Sequence, residues 1–271
     1  MPYARNARDG SRVYFEDDGG DGSPVVLHGG IVDSVDAVRH SHIAEGLPDD
    51  EFRLIYVDHR GVGRSEKPHE AKAYAMPLRV ADAVAVIDNL GIERAHFIGS
   101  SWGGRLGFGI GEHAPERVLS LVIGGQQPYA IDPEGPLARM VTRTLLASRR
   151  EGSLEPFVQG LEQFSGVRFP EMVRAQWLDN DPVAIEAAWS AALAEGAVSP
   201  HLRAWRVRCL LYIGAGDVDF HDQARRAASE ISNAEFISVE DLDHVGAHFH
   251  VDPLLPAVLR TLRGNGSAGY G

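Results

Sequence analysis

Ala95-His96-Phe97-Ile98-Gly99-Ser100-Ser101-Trp102-Gly103-Gly104 is the stretch whose reading decides the fold. Ala95–Gly99 is a short, largely apolar run of β-forming character. Trp102–His113 has the pattern of a helix, despite several glycines. Between them stands Gly-x-Ser-x-Gly, with no residues to spare for an open loop. A strand that becomes a helix within two residues crowds its own backbone, so the positions two before and two after the serine must be small. Gly99 and Gly103 meet that demand, and Gly104 relaxes it further. The turn lifts Ser101 above the sheet edge, at a helix N-terminus where backbone N–H groups and positive potential gather. A serine hydroxyl is a weak nucleophile unless it is exposed, oriented and paired with a base. The turn supplies the first two conditions, which makes Ser101 the candidate nucleophile.

Outward from this turn, short apolar runs alternate with longer amphipathic ones. Strands are expected at Arg12–Asp17, Pro24–His28, Phe52–Asp58, Val118–Ile123, Arg208–Ile213 and Ala234–Val239. Val80, Val84, Ile87 and Leu90 mark one face of a helix over Pro77–Leu90, and further helices are expected near His221–Ile231 and Pro253–Arg263. This alternation predicts an α/β fold with a mostly parallel twisted sheet and helices on both faces. Residues 126–207 break the rhythm. They hold no strand pattern but helical segments at Pro136–Ala147, Leu154–Phe164 and Val183–Ala194. An insert of that length is expected to be a small helical subdomain, placed before the last two strands and over the strand ends where open α/β sheets bind ligands. The division is thus 1–125 with 208–271 as the core and 126–207 as a cap. The tail Gly264–Gly271 reads as frayed and without function.

Composition narrows the class. The 271 residues carry 26 Lys plus Arg against 38 Asp plus Glu, a net charge of −12. Such a surface repels phosphate backbones and anionic lipid, so neither nucleic acid nor membrane is an expected partner. The single cysteine, Cys209, excludes an internal disulfide framework and any multi-cysteine metal site, and opens an apolar strand as an inert core residue. With no apolar leader pattern and no run of 18 apolar residues, the expected location is the cytoplasm.

Four signatures in order make the chain resemble the α/β-hydrolase family in its compact, cap-bearing form, from about Arg12 to Arg263. The first is Val25-Val26-Leu27-His28-Gly29-Gly30, similar to the family's strand ending in His-Gly-x. The resemblance implies an oxyanion hole formed by the backbone N–H groups of Gly30 and Trp102, with Ile31 replacing Gly30 if the loop folds as a glycine-rich variant. His28 is then a structural hydrogen-bonder. The second is Asp58-His59-Arg60-Gly61-Val62-Gly63-Arg64-Ser65, similar to an architectural loop of the family. The third is the Ser101 turn; family members that hydrolyse epoxides or haloalkanes carry Asp there, so serine argues against both activities. The fourth is Leu211-Tyr212-Ile213-Gly214-Ala215-Gly216-Asp217 with Asp241-Leu242-Asp243-His244, which implies Asp217 as acid and His244 as base, Asp219 being the rival acid.

Together these signatures imply a serine hydrolase cleaving a small or medium, largely apolar carboxylic ester or lactone through a Ser-His-Asp acyl-enzyme, without cofactor. Ile31, Tyr129 and Phe249 are expected to contact the substrate, and Trp102 to narrow the acyl side. Phe157, Phe164, Phe169, Trp177 and Trp189 either line a substrate tunnel or hold the cap together. A metal reading of His244, His248 and His250 is disfavoured, because Val245 stands where an H-E-x-x-H site needs glutamate. Two alternatives stay open: carbon–carbon bond hydrolysis or perhydrolysis on the same triad, and a small-molecule receptor with little turnover.

Overall fold

A computed structural model describes residues 2–249 and 252–264. Eight strands form one sheet: β1 Tyr3–Arg5, β2 Arg12–Asp17, β3 Ser23–His28, β4 Phe52–Val57, β5 Ala95–Ser100, β6 Val118–Gly124, β7 Arg208–Gly214 and β8 Ala234–Val239. Their spatial order is β1-β2-β4-β3-β5-β6-β7-β8. β1 and β2 run antiparallel at one edge, and the other six are parallel, as the alternating pattern predicts.

The order reverses between β3 and β5: β4 lies on one side of β3, and the chain then crosses back to place β5 on the other. In register, His28 lies beside Gly99 and Ser100 beside Gly124, so the C-terminal ends of the central strands meet at this switch point. Loops leaving β3, β5, β7 and β8 therefore open into the same crevice.

Alternation along the strands supplies two cores. Val26, Ile55, Phe97, Leu121 and Leu211 face helices α3 Met76–Asn89, α4 Trp102–His113 and α9 His221–Glu230. Val25, Leu54, Ile98, Val122 and Leu210 face the short helices α1 Val35–Arg39 and α2 His42–Gly46, and the final helix α11 Leu255–Arg263. The inward face of α3 departs from the expected one. Val80 and Ile87 are buried, but so are Arg79 and Asp82, whereas Val84 is half-buried. Asp82 tolerates burial because Arg60 binds it through Nε and Nη2, at 2.5 and 2.7 Å, while Asn6 donates at 2.6 Å.

Between β6 and β7 lie four helices and no strand: α5 Pro136–Glu151, α6 Glu155–Ser165, α7 Glu171–Leu178 and α8 Pro182–Ala194. They share a third apolar cluster with Trp102, Ile213 and Val245 of the sheet's ligand edge, so they cover the crevice. The short helices α1, α2, α7 and α10 Gly246–Phe249 are not foreshadowed by the sequence, since one or two turns carry too little periodicity to stand out. No helix among the described residues is long and apolar enough to cross a membrane. Residues 265–271 of the tail lie outside the described residues.

Candidate active site

Ser101 sits at the tip of the turn between β5 and α4, with φ 51° and ψ −108°. That conformation costs a non-glycine residue about 1–3 kcal/mol, and the surroundings enforce it. Ser101 N–H donates to the Gly124 carbonyl at 2.8 Å, and Gly103 N–H to that of Gly29 at 2.9 Å. A Cβ on Gly99 would collide with the carbonyl of Gly103, and one on Gly103 with the carbonyl of His28. The two glycines thus answer the crowding that the sequence demanded.

The hydroxyl at the tip meets an imidazole. Ser101 Oγ lies 3.0 Å from His244 Nε2, and His244 Nδ1 lies 2.7 Å from Asp217 Oδ2. Asp217 Oδ1 accepts from Phe220 N–H at 3.2 Å, which fixes the carboxylate. Because a carboxylate only accepts, it selects the tautomer with the proton on Nδ1, and Nε2 is left free for the serine. Burial works against a charged His244, but the adjoining Asp217 carboxylate outweighs it and raises the imidazole pKa above its ordinary 6.5. The rival acid, Asp219, is engaged elsewhere: its Oδ2 accepts from Leu137 and Ala138 N–H at 2.8 and 3.1 Å, at the start of α5.

The loop after β3 corrects one expectation. Gly30 N–H donates to Asp33 Oδ2 at 2.6 Å, because the loop turns back on itself and Asp33 N–H reaches the Gly30 carbonyl at 3.2 Å. The Gly30 N–H, expected as an oxyanion donor, is therefore already engaged within the loop. The N–H groups of Ile31 and Trp102 have no acceptor among the described residues, and both residues line the cavity that holds Ser101 and His244. Trp102 is held rigidly, with the Arg79 guanidinium 3.7 Å over its ring and donating to its carbonyl at 3.0 Å.

Asp33 is the functional-site residue that the sequence did not disclose. Buried, it also accepts from Trp177 Nε1 at 2.8 Å and lies 2.8 Å from His248 Nε2, whose Nδ1 is 2.8 Å from Ser100 Oγ. Burial alone would raise its pKa, but the His248 ring and the donated hydrogen bonds bring it to about 2. An acid three residues beyond Gly30 was the only available signal, and nothing local distinguishes it from a turn-former.

The cavity at the triad has about 80 Å³ of free space. Leu137, Val141, Phe157, Leu161, Trp189 and Phe220 give it an apolar wall. Of the residues expected to contact substrate, Ile31 and Phe249 line it and Tyr129 does not. Tyr129 donates to Glu230 Oε1 at 3.1 Å and lies under the Arg226 guanidinium, on the far side of β6 and β7 with the α3–α4 core. Of the cap aromatics, Phe157, Trp177 and Trp189 reach this cavity, whereas Phe164 packs within the cap and Phe169 against Trp177 and Phe249.

The remaining motif residues lie buried beneath the site or in the core. His28 is buried and stacks on His59 at 5.4 Å, and burial holds its pKa far down. His59 contacts the carbonyls of Arg60 and Gly30 from below the loop at 2.9 and 3.1 Å. Cys209 is buried, and its thiol pKa is pushed up to about 12. Both ring nitrogens of His244 and of His248 are already engaged by protein groups, and His250 lies outside the described residues. An open groove of about 1020 Å³ beside Trp205 and Arg94 lies at the other end of the strands, remote from this chemistry.

Known proteins share this architecture. A family model described as alpha/beta hydrolase fold matches residues 23–154. A hydrolase from Pseudomonas aeruginosa superposes with a TM-score of 0.81 at 22% identity, over 96% of this chain and 98% of the other. A thermophilic esterase from Thermogutta terrifontis does so with a TM-score of 0.80 at 22% identity, over 97% of each. Among curated proteins, a cis-3-alkyl-4-alkyloxetan-2-one decarboxylase from Xanthomonas campestris is 26% identical over 97% of this chain and 96% of its own length. The chain has the α/β-hydrolase fold.

Proposed function

We propose that the protein hydrolyses a largely apolar carboxylic ester or lactone through a covalent acyl-serine. The observation that carries this reading is the continuous relay of Ser101 Oγ, His244 and Asp217, at 3.0 and 2.7 Å. Ser101 Oγ attacks the carbonyl carbon and passes its proton to His244 Nε2, while Asp217 stabilises the imidazolium. The carbonyl oxygen becomes an oxyanion, held by the N–H groups of Ile31 and Trp102; one such donor is worth on the order of 3 kcal/mol of barrier. His244 returns the proton to the leaving alkoxide as the tetrahedral species collapses. It then takes a proton from water, whose oxygen attacks the acyl carbon, and delivers that proton to Ser101 Oγ as the acyl C–O bond breaks, releasing the acid and the free serine. All groups in this scheme belong to the chain or the solvent.

The apolar wall around the triad supports an apolar substrate, since a charged one would lose its hydration there without compensation. The full-length likeness to a protein named for an alkyl-substituted oxetan-2-one supports the lactone form, an oxetan-2-one being a cyclic ester. The test is turnover of an activated ester, together with mass spectrometry after fluorophosphonate treatment. The wild type is expected to hydrolyse the ester and to carry one adduct, on Ser101. Ser101→Ala, with its fold verified by circular dichroism, is expected to lose at least a thousandfold in kcat and all labelling. Undiminished turnover by that variant would refute the assignment.

A further inference from the structure

We infer that a second, larger chamber beside the triad, reached by displacement of the Phe249 ring, takes the apolar chain of the substrate, so that the preferred ester or lactone carries a long alkyl group. This rests on the hydrolase reading above. The cavity at Ser101 and His244 has about 80 Å³ of free space, far below the roughly 300–1,000 Å³ of small-molecule sites. It holds the reacting carbonyl and little more. Directly beside it lies a cavity of about 810 Å³, between α7 on one side and α1 and α2 on the other.

The two spaces are separated by a wall one side chain thick: Asp33, Trp177, Val245, His248 and Phe249 line both. Trp177 and His248 are pinned by Asp33, each at 2.8 Å. Phe249 packs against the apolar cluster of the helical insert and meets three rings, with centroids 5.0 Å from His248, 5.6 Å from Phe169 and 6.0 Å from Trp177. Rotation of its ring breaks no hydrogen bond among the described residues. The chamber beyond is faced by Val38, Ile43, Ile98 and Val173. At its mouth stand Val167 and Met172, 54% and 68% exposed, two of the five most exposed large apolar side chains among the described residues. An apolar chain entering there covers apolar surface that otherwise faces water, which favours its binding.

The experiment compares short and long esters with the chain placed first on the acyl side, then on the alkoxy side: p-nitrophenyl acetate with p-nitrophenyl decanoate, and ethyl acetate with decyl acetate. In at least one pair the long ester is expected to exceed the short one tenfold or more in kcat/KM. Val173→Trp, which fills the chamber without facing the triad cavity, is expected to erase that advantage. Met172→Glu, at an exposed site that folding tolerates, is expected to reduce it in the same direction. Preference for the short ester in both pairs, or an advantage that neither variant changes, overturns the chamber and leaves the hydrolase reading intact. Calorimetry on Ser101→Ala separates the converse case. If the wild type cleaves no ester, yet Ser101→Ala binds decyl acetate and the added Val173→Trp abolishes that binding, the chamber stands and hydrolysis falls. Absence of both cleavage and binding overturns both.

Discussion

His244 illustrates how one residue inherits its chemistry from its neighbours. Buried by itself, an imidazole stays neutral; the Asp217 carboxylate at 2.7 Å reverses that balance and raises its pKa above 6.5. A general base works only when unprotonated, so a raised pKa moves the acid limb of activity upward. For an activated ester, kcat/KM is expected to climb with pH through a midpoint above 6.5 and then level off. Asp217→Asn, which removes the charge, is expected to lower that midpoint and to cut kcat by orders of magnitude. A stopped-flow pH profile of the two proteins checks both expectations; a wild-type midpoint below 6 would contradict the geometry.

Elements set where such residues stand. Helix α5 opens the cap, and its first N–H groups find their acceptor on the core, in Asp219 of the loop after β7. This bond joins the cap to the strand that also delivers Asp217. Removing a cap acceptor costs about 0.5–2 kcal/mol. Asp219→Ala is therefore expected to lower the melting temperature by several degrees while Ser101 still takes up a fluorophosphonate. Loss of labelling in the folded variant would place Asp219 in the relay instead. At this scale the sequence served well for long or strongly patterned segments. Trp102–His113 and Ala234–Val239 coincide with α4 and β8. It served poorly for α7, whose eight residues bury only Trp177 and so show no apolar face.

Over the whole molecule, Asp33 is the point where three parts meet: the loop after β3 through Gly30, the cap through Trp177, and α10 through His248. Its pKa is depressed from 3.8 to about 2, so its ionised form contributes stability. That contribution, about 2 kcal/mol, is present in full above pH 4 and is lost as pH falls through 2. Asp33→Asn is expected to be less stable than wild type by about that amount near pH 6, with the gap narrowing as pH falls from 5 toward 2. Urea titrations at several pH values measure it; a gap independent of pH would remove the charge from the account.

The chain's order of residues by itself determined the α/β layering, the turn at Ser101 and the helical character of 126–207, while the resemblance to the α/β-hydrolase family singled out Asp217 and His244 as candidates. These come from short-range rules: periodicity, the crowding of a tight turn, and motifs a few residues long. Only the tertiary structure decided that Gly30 gives its N–H to Asp33, that the Ile31 N–H has no acceptor among the described residues, that Tyr129 points away, and that a second cavity lies behind Phe249. Each of these depends on partners far apart in the chain, such as Trp177 and Asp33, 144 residues from one another. A carboxylate goes to whichever donors packing brings within reach, and local sequence cannot specify which those will be.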